Sequence, residues 1–368
     1  MMSNNSFSKR YPIFSKILSN TNFDGFKFVF VYHLNHNNAP FLKEWVKQAQ
    51  TIAIISIPYS EVKSVKNSLH KYTKIKSPLN IEEIPKLLLK ICNKEQKGKI
   101  VIVEIGGYSS YITSKLKNVA FIIEDTNQGH WLHAKTQRTK SHVVISIAKT
   151  VIKKMENRIV GESIVRSLEN LFQKQLPDKN FKKLTIGVIS YGGIGSSVCN
   201  SLKTRNIIPF VYDLDITKMA QAYADGYKVV KKNKLLSSSD LIIACTGQPS
   251  IKIKDLVILK KNAFLFSGSS KKIEFQNLMP LIKFEKNRKN KMLQKIIYLN
   301  KSFWIGYEGQ PINFLDKLKP KDFELTLSAL VECFNFASKK RLANRVYTLP
   351  LKNQLKILNL YIKSIIGK

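Results

Sequence analysis

Six consecutive residues, Ser190, Tyr191, Gly192, Gly193, Ile194 and Gly195, join the apolar run LTIGVI to the helical pattern SSVCNSLKTRN. A strand that turns on glycines into a helix aims the helix's first backbone N–H groups at whatever lies over the turn, and glycine lets a phosphate come close. Gly192 is placed for that approach, Gly195 for close packing of helix on strand. Ser190 stands where such turns usually have their first glycine, and serine is accepted there provided its backbone keeps a negative φ. Eighteen residues beyond Gly195, Asp213 ends the strand-like IPFVYDLD. A carboxylate at that place accepts both hydroxyls of an adenosine ribose and repels a 2′-phosphate. The segment CTGQPS puts Thr246 and Gly247 at the carboxyl end of a further strand, the edge at which open α/β sheets bind ligands. Together these residues predict a site for NAD rather than NADP.

The remaining sequence has to hold that site at one sheet edge. In the first 145 residues, Val- and Ile-rich runs (FKFVFVYHL, TIAIISIPYS, GKIVIVEIGGYSS, VAFIIEDTNQGHW, HVVISIA) alternate with helical patterns such as APFLKEWVKQAQ. That order describes an α/β layer with a parallel sheet. One long helix is expected over residues 149–175, closed by Pro177. A second alternation follows, with LTIGVIS, IPFVYDLD, DLIIACTG and AFLFSGSS as strands; residues 303–314 read as irregular, and two helical patterns close the chain. The predicted fold class is α/β with two α/β domains. A substrate-type domain covers 1–164, a Rossmann-type NAD-binding domain is inserted at 165–305, and C-terminal helices over 306–368 return to the first.

A chain of 368 residues with 44% apolar side chains can bury two ordinary cores. No uninterrupted apolar run approaches the roughly 18 residues of a membrane span. The N-terminus shows no apolar stretch followed by a small-residue cleavage site, so neither a membrane nor a secretory leader is expected. A net charge of +36 raises nucleic acid as a partner. Only 8 of the 61 basic residues are arginine, however, and neither arginine forks nor aromatic platforms are concentrated anywhere, which argues against it. Cys92, Cys199, Cys245 and Cys333 lie far apart without metal-ligand spacing and read as reduced thiols of a cytoplasmic protein. His130 and His133 have the i, i+3 spacing of a helical metal pair, but no third ligand follows at a suitable distance, so no metal is expected.

With these residues in view, the chain resembles the S-adenosylhomocysteine hydrolase family. That family writes its cofactor turn Gly-Tyr-Gly-Asp-Val-Gly, against SYGGIG here, and ends the following Ala-rich helix with Glu-Gly-Tyr-Glu-Val, against ADGYKV. Upstream, EIGGYSS and IEDTNQGHW are similar to its Asp-Asp-Gly-Gly-Asp and Glu-Glu-Thr-Thr-Thr-Gly-Val-His segments. The likeness covers about residues 26–275. It implies bound NAD that oxidises a ribose hydroxyl of a small nucleoside-type substrate, a role in one-carbon metabolism, and a homo-oligomer. Position by position it puts His33 on the substrate histidine, Asn35 on a threonine and Asn37 on a glutamine. Asp125 falls on the substrate-binding glutamate, Glu156 on the catalytic aspartate and Ile152 on the catalytic lysine. Lys153 is adjacent, but on a helix it points about 100° away from Ile152. Ile105 replaces one acid of the Asp-Asp-Gly-Gly loop, Tyr108 the acid after it, and Ser269 the histidine of the family's Gly-His-Phe-Asp. The family's lysine- and tyrosine-bearing tail finds no match in LYIKSIIGK.

Binding features are thus largely kept while the acid–base set is partly replaced. Two readings stay open: an NAD-dependent enzyme oxidising a hydroxyl of a small polar substrate, with His33, Asp125 and Glu156 as its catalytic candidates, or a non-catalytic NAD(H)-binding relative with a regulatory or scaffold role. A basic nucleic-acid-binding protein is the weakest third.

Overall fold

The computed structural model describes residues 4–95, 97–136, 142–269, 272–281, 292–316 and 318–367. The chain forms two compact units, Met1–Glu156 with Leu318–Lys368, and Asn157–Lys317. The second unit begins before the expected residue 165 because the long helix, Val151–Gln175, serves both cores. Ile152 packs in the first, while Ile164, Leu168 and Phe172 pack in the second.

In the first unit, β1 (Phe26–Tyr32), β2 (Thr51–Ser56), β3 (Ile75–Lys76), β4 (Lys99–Glu104), β5 (Val119–Glu124) and β6 (Val143–Ser146) lie in the order β3-β2-β1-β4-β5-β6, all parallel. Central strands of a parallel sheet are covered on both faces, which is why KIVIVE and VAFIIE are continuous apolar runs rather than alternating ones. The strand order reverses between β1 and β4, and ligands of such sheets sit at the carboxyl ends beside that reversal. His33, Ile105 and Asp125 are the residues that follow β1, β4 and β5 there. Thr126 then accepts the Gly129 N–H and starts the helix Asn127–Lys135.

The second unit contains β7 (Ile186–Ile189), β8 (Phe210–Tyr212), β9 (Lys228–Val229), β10 (Leu241–Ala244), β11 (Phe264–Ser267), β12 (Leu293–Tyr298) and β13 (Lys301–Gly306). Their order is β12-β13-β11-β10-β7-β8-β9, parallel except for the β12–β13 hairpin. From β9 to β13 this is the Rossmann strand order, with the reversal between β7 and β10. The hairpin corrects the expected irregular stretch at 303–314. Phe303 and Ile305 face the core in period-two alternation, and only from Tyr307 does the backbone leave the sheet.

After the second unit the chain returns to the first. The helix Glu324–Ala337 is buried nearly all round and packs Leu330, Phe334 and their neighbours into the first core. Then β14 (Val346–Thr348) pairs with β6, and the helix Leu351–Ile366 closes the chain. Among the described residues no helix is long and apolar enough to cross a membrane. The four cysteines are free thiols, three of them buried.

Candidate functional site

At the end of β7 the Ser190 N–H donates to the Tyr212 carbonyl, and Ser190 then adopts φ 87°. This corrects the expected negative φ. The first position of the bend requires the left-handed region, which glycine enters freely and other residues at a cost of about 1–2 kcal/mol. The serine hydroxyl accepts the Gly192 N–H at 3.3 Å. A Cβ on Gly195 would lie 2.0 Å from the Ser190 carbonyl oxygen, so helix and strand approach too closely for any other residue. On Gly192 a Cβ would meet nothing nearer than the Ser190 hydroxyl at 3.5 Å. No side chain caps the helix Gly193–Lys203 that starts there, so uncapped amides and open room coincide as a pyrophosphate requires. Gly193 backs onto Asn157, whose Nδ2 a Cβ would meet at 2.3 Å, and Ile194 packs against the core.

Asp213, directly after β8, turns its carboxylate towards the bend. Its Oδ2 accepts the Tyr191 N–H at 2.6 Å and its Oδ1 the Asp215 N–H at 2.9 Å. Each oxygen retains a second lone pair with which to accept a ribose hydroxyl. The Tyr191 side chain leaves the bend: its hydroxyl donates to Asp225 at 2.7 Å and its ring tilts against Tyr227, centroids 5.7 Å apart. The turn is thereby tied to the ADGYKV segment that carries the family resemblance. These donors, this acid and this space fit NAD.

Thr246 and Gly247 follow β10 at the same edge, and both are engaged by Glu274, a residue the sequence reading did not single out. Thr246 Oγ1 lies 2.8 Å from Glu274 Oε2, and the Gly247 N–H donates to Oε1 at 2.7 Å. Nothing in KKIEF marks that glutamate, since its partners lie about 27 residues away and its only local signal is one acid after two lysines. Ser269, at the family's histidine position, is buried with its hydroxyl 3.2 Å from that of Ser267.

In the first unit the sheet edge assembles a buried charged cluster. Lys153 Nζ lies 2.6 Å from Asp125 Oδ1 and 2.8 Å from Glu156 Oε1. The Tyr32 hydroxyl donates to Asp125 Oδ2 at 2.7 Å, and Thr326 donates to Glu156 Oε2 at 2.5 Å. Burial works against the ammonium, but Asp125 and then Glu156 outweigh it and hold Lys153 above the usual lysine range. Burial, reinforced by Asp125, likewise raises the Tyr32 phenol. The lysine of this cluster is therefore Lys153, not position 152. The 100° step between neighbours turns Ile152 into the core, 1% exposed, and Lys153 towards Asp125. His33 does not join them through any bond described; its Nδ1 lies 2.5 Å from Ser60 Oγ, with the ring edge-on to Tyr59. Held between two carboxylates, Lys153 is a hydrogen-bond donor and counter-charge rather than a base.

Beneath the Gly106–Gly107 turn lies a second buried group. Glu104 and Glu124 end β4 and β5 in direct register, and His133 Nε2 is 2.8 Å from Glu104 Oε1. Donor atoms of the three lie within 4.8 Å of one another, a grouping with the chemistry to hold a metal that the sequence spacing did not reveal. Every carboxylate oxygen there already accepts a protein donor: Gly106, Gly107 and Thr126 on Glu124, Ser109 and His133 on Glu104. The group reads as an internal network that shapes the turn. Burial, then Glu104, pushes the Glu124 carboxyl up to about 8.

Residues 172–305 match the family described as S-adenosyl-L-homocysteine hydrolase, NAD binding domain. Similar curated relatives include the S-inosyl-L-homocysteine hydrolase of Methanocaldococcus jannaschii, 23% identical over 49% of this chain and 45% of the relative. The adenosylhomocysteinase of Thermoplasma acidophilum is 24% identical over 45% of this chain and 42% of its own length. The match thus spans less than half the length of either relative. Similar solved structures include a D-isomer specific 2-hydroxyacid dehydrogenase of Lactobacillus delbrueckii ssp. bulgaricus in its NAD complexed form (TM-score 0.42, 13% identity, 87% of this chain and 100% of that one). Another is a phosphoglycerate oxidoreductase of Vibrio cholerae (TM-score 0.47, 11% identity, 78% and 99%). The bend and Asp213 both fall within residues 172–305, the part of the chain that is similar to the NAD-binding domain of the S-adenosyl-L-homocysteine hydrolase family, and the resemblance to that family's members is a divergent one.

Proposed function

We propose that this chain is an NAD-dependent enzyme of the S-adenosylhomocysteine hydrolase type, oxidising a hydroxyl of a small, polar, nucleoside-type substrate. The observation that carries the reading is the Tyr32–Asp125–Lys153–Glu156 cluster at the carboxyl edge of the first sheet. A triad of charges with two members buried and the third largely so is an expensive way to stabilise a core, and perturbed ionisable groups gather at functional sites. When bound, NAD supplies the hydride acceptor. The chain's own residues hold and orient. Asp213 accepts the adenosine ribose hydroxyls, and the amides at the start of the helix Gly193–Lys203 face the pyrophosphate. Asp125 accepts a substrate hydroxyl, and Lys153, which uses two of its three N–H donors on Asp125 and Glu156, donates the third to a substrate oxygen. For Lys153 to act as a base it must first give up its own proton, which requires substrate to draw the ammonium away from its two carboxylates.

The test is incubation of the purified protein with NAD and S-adenosylhomocysteine or S-inosylhomocysteine, reading free thiol and NADH absorbance. Turnover is expected, with Asp125→Asn lowering it at least about a hundredfold. No thiol and no NADH from these or from a panel of secondary alcohols would refute the enzyme reading. Binding of NAD without turnover would then favour the second reading, a non-catalytic NAD-binding relative. That reading draws support from Lys153 being held as an ammonium between two acids and from Ile105 and Ser269 replacing polar groups of the family.

A further inference from the structure

We propose that Glu274 is a positioning residue for the nicotinamide-ribose half of the dinucleotide, acting through the loop that follows β10. The inference rests on NAD occupying the second unit and extends it to a residue outside every motif read from the sequence.

The direction in which NAD lies follows from the strand order. Asp213 follows β8 and takes the adenosine ribose, while the glycine bend follows β7 and takes the pyrophosphate. A dinucleotide crossing the reversal between β7 and β10 must therefore lay its other half over the carboxyl end of β10. The backbone there is the segment Thr246–Ser250, which is neither strand nor helix. Glu274 holds it at several points. Its Oε2 is 2.8 Å from Thr246 Oγ1 and its Oε1 takes the Gly247 N–H at 2.7 Å. Its main-chain carbonyl takes the Ser250 N–H at 2.9 Å and the Ser250 hydroxyl at 3.1 Å. Gly247 is held at φ 69° with no atom within 4 Å of where a Cβ would be, so one face of the loop stays open. The Glu274 residue itself is fully buried. A buried carboxylate is costly unless donors answer it, and here the loop supplies the donors, so carboxylate and loop define each other's position.

Glu274→Met removes both side-chain acceptors, so the Gly247 N–H loses its carboxylate and the Thr246 hydroxyl keeps only Gln248 as a partner. Calorimetric titration with NAD+ and with AMP separates positioning from general support, because AMP occupies only the Asp213 half. In Glu274→Met, NAD+ affinity is expected to fall about tenfold while AMP affinity stays within about twofold. Thr246→Val, which removes one partner and leaves the Gly247 bond, is expected to show a smaller loss of the same kind. Unchanged NAD+ affinity in both variants overturns the proposal, as does a parallel loss of NAD+ and AMP. If the wild-type chain binds neither ligand, the NAD reading fails first and this inference with it.

Discussion

Gly192 and Gly195 share one bend for different reasons, and a single methyl group separates them. A Cβ at Gly195 collides with a backbone oxygen at 2.0 Å, and backbone cannot move aside cheaply. Gly195→Ala is expected to cost about 2–3 kcal/mol of stability, read by chemical denaturation. A Cβ at Gly192 meets open space, so Gly192→Ala should unfold at the wild-type denaturant midpoint yet bind NAD+ at least about tenfold more weakly. A Gly192→Ala variant that binds normally would remove the pyrophosphate from this bend. Ser190 gives the opposite sign. Its φ of 87° is strain that glycine relieves, so Ser190→Gly is expected to stabilise the fold by about 0.5–1 kcal/mol even after the entropy of glycine is charged against it. This bend was legible in the sequence because its glycine spacing is local. The sign of φ at Ser190 was not, since a serine there is compatible with either sign until the neighbouring backbone is placed. The pairing of Lys153 with Asp125 was hidden for a related reason: the resemblance puts the family's lysine at position 152, and on a helix one residue exchanges the core face for the polar one. Lys153→Met should cost about 3–5 kcal/mol by stranding Asp125 and Glu156, and adding Asp125→Asn should recover part of that loss.

Among the elements, β4 and β5 carry the sharpest consequence. Parallel pairing sets Glu104 beside Glu124 at the strand ends, and the Gly106–Gly107 turn closes over them with its amides pointed at Glu124. Gly129 packs so tightly against that carboxylate that a Cβ would lie 2.1 Å from it. Burial, then Glu104, pushes Glu124 up to about 8 from an ordinary 4.5, so between those values the folded chain holds a proton that the unfolded chain has released. Folding stability from this group is complete below about pH 4.5 and is lost as pH rises through about 8. Thermal melts from pH 5 to pH 9 should therefore fall steadily, and Glu124→Gln should flatten the slope. Glu274, also raised by burial, contributes the same sign, so a residual slope is expected in the single variant. A slope identical to wild type would assign the effect elsewhere. The strands themselves could be read from composition because parallel strands covered on both faces are continuous apolar runs. The Glu104–Glu124–His133 group could not be read, because its three members belong to separate elements and meet only once β4 and β5 are in register.

For the whole molecule, charge was the misleading signal and strand order the useful one. A net charge of +36 carried almost entirely by lysine describes the surface as a whole and points to no site. The alternation of apolar runs and helical patterns fixes two parallel sheets, each with its own buried core: one around β1–β6, the others on the two faces of β7–β13. Separate cores predict separate responses to ligand. NAD binding only the folded second unit at about 100 times its dissociation constant adds about 2.7 kcal/mol to that unit's unfolding free energy. Hydrogen exchange from globally protected amides of β7, β8 and β10 should then slow about a hundredfold, while amides of β1 and β4 keep their rates. Equal slowing in both sheets would mean that they unfold as one cooperative body despite their distinct cores. The helix Val151–Gln175, rooted in both cores, would then be the element that couples them, because Lys153 at its start and Phe172 near its end cannot both be released by opening a single unit.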